Sequence, residues 1–192
     1  MAARRDNYSK VAIGFHWLIA LMIIGLIIFG LLMTNPDMPN RFALYQLHKS
    51  FGICVLILSV LRLLWRLGHK PPPLPAGMKR WEVAAAKFTH IAFYIIMIGM
   101  PLLGWAMVSS TELVIPTRIF NTIPWPDMPG LPRDKALSDI FKNLHYWIGR
   151  ATIVLILLHI GAALKHHFVN KDNVLRRMLP FSKTKRGSET PG

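Results

Sequence analysis

The chain is 192 residues long, 53% hydrophobic and formally charged +14 at pH 7, with a mean hydropathy of +0.37. That is too apolar for an ordinary soluble domain of this size, so the sequence reads as a membrane protein whose charge is gathered in the segments between apolar runs. The basic residues are scattered over several such segments, which argues against nucleic-acid binding, and the single cysteine, Cys54, excludes an intramolecular disulfide.

Four runs are long enough to cross roughly 30 Å of hydrocarbon at about 1.5 Å per residue. The first, residues 11–33, follows Arg4, Arg5 and Lys10 like a signal peptide. Its apolar part is too long for one, and no small-residue cleavage site precedes Asn35-Pro36-Asp37, so it reads as a retained span. The second, 44–67, encloses Cys54 as a small buried hydrophobe and is followed by the proline-rich link Pro71-Pro72-Pro73-Leu74-Pro75. The third covers 84–108. A connection from Ser109 to Lys142, stiffened by Pro116, Pro124, Pro126, Pro129 and Pro132, leads to the fourth span at 144–168. The expected fold is an all-α membrane protein, a four-transmembrane-helix bundle forming one domain over 1–182, with a basic cytoplasmic tail at 183–192.

Lys and Arg number sixteen on the side of the termini and the second connection, against seven on the other side. The excess predicts that both termini face the cytoplasm. Trp17, Trp65, Trp105 and Trp147 fall near span ends, where an indole can rest among headgroups.

Histidine in a hydrocarbon slab costs several kcal/mol unless it finds a partner, which makes intramembrane histidines functional candidates. His16 lies near the inner end of the first span, and His48 about one turn inside the outer end of the second. His145 begins the fourth span on the outer side. His159 follows it by fourteen residues, within about 40° of four full helical turns and roughly 21 Å deeper. Depth therefore pairs His48 with His145 at the outer level and His16 with His159 at the inner level, because joining His16 to His48 would bridge most of the bilayer.

Two facing imidazoles without Cys or acidic neighbours make a poor zinc site but suit the two axial positions of haem iron, so two b-type haems are expected. Gly52 and Gly149, each four residues after an outer ligand, are candidate rests for a flat macrocycle; close helix packing is the plain alternative. For the histidines that alternative is hydrogen bonding across helices or interfacial placement. Arg62, fourteen residues after His48, and Arg150, beyond His145, are candidate partners for haem propionates, with snorkelling to the headgroups as the other reading. His69 reads as solvated, and His90, His166 and His167 as interfacial. His90 is also a candidate neighbour of a propionate or quinone, and His166 is the main rival ligand on the fourth helix.

The stretches Tyr8-Ser9-Lys10 through Phe15-His16-Trp17-Leu18, Leu47-His48-Lys49-Ser50-Phe51-Gly52 with Leu61-Arg62-Leu63-Leu64, and Leu158-His159 through Lys171-Asp172-Asn173-Val174-Leu175-Arg176-Arg177-Met178-Leu179-Pro180 resemble the bacterial cytochrome b561 family. The likeness spans nearly the whole chain and is weakest from Ser109 to Lys142. It implies a small inner-membrane protein with two haems on the four histidines already named. It also implies electron transfer between a quinone and a second partner, and some members resemble a superoxide oxidase that reduces ubiquinone. Positive charge from Lys49 and Lys142 near the outer histidines suits an anion such as superoxide. The partners expected are thus membrane lipid, quinone, and superoxide or a redox protein. Two other readings stand beside this one. The first is a cytochrome b anchor passing electrons between a dehydrogenase or hydrogenase subunit and quinone, and the second is a haem-free transporter or assembly factor.

Overall fold

The computed structural model describes residues 7–75 and 77–180; the tail expected at 183–192 lies outside them. Four long helices follow in order: α1 (Lys10–Met33), α2 (Arg41–Gly68), α3 (Arg80–Ser110) and α4 (Lys135–Phe168). Each is long and apolar enough to cross a membrane. Between α3 and α4 the chain forms a small antiparallel hairpin, β1 (Thr117–Ile119) with β2 (Ile123–Trp125), and after α4 a short 3-10 turn at Arg176–Met178.

Local chemistry sets the boundaries. The Ser9 hydroxyl accepts from the Ala12 N–H at 3.2 Å and opens α1, while the Glu82 carboxylate turns back to the Lys79 N–H at 2.9 Å to open α3. The Asp134 carboxylate accepts from the Leu137 N–H at 2.8 Å and starts α4 nine residues before the expected Leu144. Lys135 and Asp139, paired at 2.6 Å one turn apart, reinforce that added stretch. At 34 residues α4 is about 51 Å long, so its first turns stand clear of a slab roughly 30 Å thick. An apolar-run reading begins only where hydrocarbon does, which is why it misses this polar start.

The hairpin is also absent from that reading. Its tip uses positive φ at Phe120 (48°) and Asn121 (60°), and the Thr122 N–H closes the turn on the Ile119 carbonyl at 3.0 Å. The hairpin seats on α2: the Ser50 hydroxyl accepts from the Phe120 N–H at 2.9 Å, and the Phe120 ring meets Phe51 edge-on at 5.3 Å.

α2 lies between α1 and α3, and α4 leans on α3 without comparably extensive contact with α1 or α2. Ile19, Val55 and Met97 form the small centre where α1, α2 and α3 meet. Leu21, Ile24, Ile28, Ile91, Ile95, Leu157 and Leu158 remain exposed along the helices, as side chains facing lipid would be. The start of α1 meets the end of α2 through the Trp65 indole N–H and Ser9 Oγ at 3.2 Å. The segment after α4 returns to the same end, where the Trp17 indole donates to the Met178 carbonyl at 2.7 Å. The described chain thus begins and finishes at one end of the bundle, and the hairpin sits at the other.

Candidate functional site

Two couples of imidazoles cross the open side of the bundle. At the hairpin end, His48 of α2 and His145 of α4 have ring centroids 6.1 Å apart and planes at 67°. At the termini end, His16 of α1 and His159 of α4 stand 6.3 Å apart at 65°. No hydrogen bond joins the rings of either couple. A metal–imidazole bond is about 2 Å and the bonded nitrogen sits about 1 Å from its ring centre, so two rings sharing one metal atom stand about 6 Å apart. Both couples have that spacing. The four histidines therefore fit axial ligation of two haems.

The outer couple is framed in a repeated way. A Cβ on Gly30 would lie 3.7 Å from His48 Cε1, and a Cβ on Gly104 would lie 3.3 Å from His145 Cε1 and 3.5 Å from its Nδ1. Four residues before each glycine, Leu26 and Met100 turn a backbone carbonyl toward the same ring. Neither Nδ1, buried in both cases, completes a hydrogen bond. His48 thus rests on α1 as His145 rests on α3.

Gly30 and Gly104 are the glycines against the outer rings; Gly149 would meet only the Met100 methyl, at 3.8 Å, and Gly52 faces open space. Sequence reasoning looked for glycines on the ligands' own helices. Gly30 and Gly104, on neighbouring helices at the depth of the outer histidines, are further residues of the site that this search did not reach.

The inner couple is different. Arg62 brings Nη2 to 3.5 Å from His16 Nδ1 and its Nη1 to 3.9 Å from the Met97 sulfur. His90 stands beside the inner couple: its ring lies 6.5 Å from His159, with Phe93 packed edge-on to His159 at 5.3 Å. His16, His90 and His159 nevertheless do not form a three-ligand metal cluster, and none occurs among the described residues.

The remaining candidates fall elsewhere. Arg150 is exposed and stacks 5.1 Å from the Tyr146 ring, so of the two arginines Arg62 is the one touching a candidate ligand. His166 is 7% exposed, with Nδ1 engaged by the Asp172 carboxylate at 2.5 Å and by the Asn170 amide at 3.2 Å. That network folds the segment after α4 back onto the bundle. Lys165 adds an ion pair to Glu82 of α3 at 2.5 Å. Lys49, beside His48, donates to the Thr117 hydroxyl at 3.4 Å.

The sequence matches the family described as prokaryotic cytochrome b561 over residues 7–181. It is 33% identical to cytochrome b561 homolog 2 of Escherichia coli K12 over 186 residues, covering 95% of this chain and 96% of that protein. Cytochrome b561 homolog 1 of the same organism is 29% identical over 182 residues, or 93% and 99% of the two chains. The probable superoxide oxidase CybB of Yersinia pestis is 31% identical over 176 residues, or 91% and 96%. With four apolar helices and a match along nearly its whole length, the chain belongs to the prokaryotic cytochrome b561 family of membrane electron-transfer proteins, which bind b-type haem.

Proposed function

We propose that the chain carries electrons across the bacterial inner membrane, oxidising superoxide at the hairpin end and reducing quinone, with one b-type haem at each histidine couple. The observation that supports this most is the pair of imidazole couples sharing α4, each with the spacing of two ligands to one metal. The imidazoles of each couple would hold a b haem, which when bound would supply reversible one-electron iron chemistry.

The chain's own groups do the rest. His48 and His145 hold the outer site, and His16 and His159 the inner one. Burial of both outer rings among α1 and α3 leaves each a ring nitrogen that could bind a metal. Arg62 puts a positive charge beside His16, suited to a propionate and to added electron density. The hairpin is fastened to Lys49, Ser50 and Phe51, the residues that follow His48 on α2. The Lys and Arg excess places the termini in the cytoplasm.

Superoxide as donor is supported by the name of the Yersinia pestis relative and by the cation of Lys49 next to the outer couple. Two superoxide ions each lose one electron and leave as dioxygen; the two electrons, with two protons, convert one quinone to quinol. Stopped-flow mixing of the oxidised protein with superoxide should show haem reduction faster than the uncatalysed reaction, followed by quinone-dependent reoxidation. No reduction above the uncatalysed rate would remove superoxide as the donor.

Gly104 gives a second test. A methyl there would press on His145 at 3.3 Å, and overpacking of this kind costs about 1–3 kcal/mol. Gly104→Ala is expected to lower occupancy or shift the absorbance of the outer haem alone. An unaltered spectrum at full occupancy would show that the glycine does not set the position of His145.

A further inference from the structure

At the termini end the described acids are already engaged. Glu82 accepts from Lys165 and from the Lys79 N–H, and Asp172 holds His166 and the Val174 N–H. A cavity lies nearby, between the start of α1, the end of α2 and the Pro71-Pro72 link, and its described lining contains Arg62, Arg66 and Lys70 but no carboxylate. None of these three cations belongs to an ion pair among the described residues.

Two of the charges are held close together. The Arg62 and Arg66 guanidiniums lie 5.6 and 5.7 Å from the centre of the same Tyr94 ring. The ring face offsets part of their repulsion, yet Arg66, in no ion pair among the described residues, still favours an anion in the space beside it. The walls are fixed independently of any ligand. The Trp65 indole is tied to Ser9 at 3.2 Å and stacks on His69 at 3.8 Å and 7°, and His69 Nδ1 meets the Trp65 carbonyl at 3.0 Å. The cavity opens where α2 ends at Gly68, and an indole at a span end marks the headgroup level.

We propose that this cavity binds the phosphate of an acidic phospholipid headgroup, with Arg66 and Lys70 as its chief partners and Arg62 as the charged floor. Guanidinium forks match phosphate oxygens in pairs, and basic pockets at the ends of spans select anionic lipid. Neither the electron donor nor the quinone enters this argument.

The test uses the full-length, haem-loaded protein, stripped of lipid in detergent. Native mass spectrometry then follows retention of phosphatidylglycerol, of phosphatidylcholine and of inorganic phosphate. One phosphatidylglycerol per chain should be retained at least tenfold more tightly than phosphatidylcholine. Arg66→Gln combined with Lys70→Gln should abolish that preference while leaving haem content and thermal stability in detergent unchanged. The single variant Lys70→Gln, on an exposed link, serves if the double variant is unstable, and should lose part of the preference. Equal retention of the two lipids, or an undiminished preference in both variants, overturns the proposal. Inorganic phosphate that competes as well as the lipid would make the free ion the ligand and overturn the lipid assignment. A variant that loses inner-haem absorbance without any change in lipid retention would assign these cations to the cofactor and overturn it too.

Discussion

If each histidine couple holds one haem, as proposed, His145→Ala should leave one haem per chain in place of two. The expectation follows from the two couples: His145 faces His48 at 6.1 Å and contributes nothing to the couple at the other end of α4, where His159 faces His16. Without the His145 ring the outer site would keep one of the two imidazoles that could hold the group, and a void would open beside Gly104. The same logic predicts that His159→Ala keeps only the outer haem and that the double variant keeps none. His90→Ala is the informative companion, because His90 stands nearly as close to His159 as His16 does. If His16 is the ligand, His90→Ala retains both haems and His16→Ala loses the inner one. Haem extracted and quantified per folded chain decides among these outcomes. Two haems in His145→Ala, or loss of the inner haem in His90→Ala, would require a different ligand set.

Arg62→Gln should lower the midpoint potential of the inner haem and leave the outer one where it is. The guanidinium sits against His16, roughly 8 Å from a metal shared by His16 and His159. At an effective dielectric constant of about 20, a unit charge at that distance is worth about 2 kcal/mol. The sign follows directly: a neighbouring positive charge favours the more electron-rich, reduced state, so removing it makes reduction harder. Partial screening by water at the bundle end brings the expected shift to about 60 mV, a tenfold change in a one-electron equilibrium. Arg62→Lys should recover part of it. A redox titration that separates the two haems by absorbance provides the measurement. An unchanged inner midpoint, or equal shifts in both haems, would mean that Arg62 does not bias the pair.

Legibility followed the physics of each feature. Span positions came from unbroken apolar runs, and the ends at Met33 and Phe168 were visible because Thr34 and Asn35 follow the first and Asn170 and Lys171 come just beyond the second. The matching depths of His16, His48, His145 and His159 came from counting residues along straight helices, which needs no side-chain detail. The polar start of α4, where Asp134 and the Lys135–Asp139 pair extend the helix beyond hydrocarbon, was beyond an apolar-run reading. So was the hairpin, whose three-residue strands are too short for an alternating pattern and whose turn uses Phe120 and Asn121 without glycine. Within the site, Gly52 and Gly149 were chosen by spacing on the ligands' own helices, whereas Gly30 and Gly104 touch the outer rings from the helices alongside. His90 and His166 show the same limit. Each sits near a helix end, and which way its ring turns depends on neighbours, Phe93 and His159 for one and Asp172 for the other, that only the packed bundle brings into place.

Both couples draw one member from α4, the last helix to leave the ribosome. Until it arrives, a nascent chain with three spans inserted can offer His16 and His48 only as single ligands on separate levels. If each couple holds a haem as proposed, neither would be clasped before α4 is made, and both would be secured in one late event. A chain truncated before α4 should accordingly emerge from the membrane colourless, instead of carrying half the usual complement.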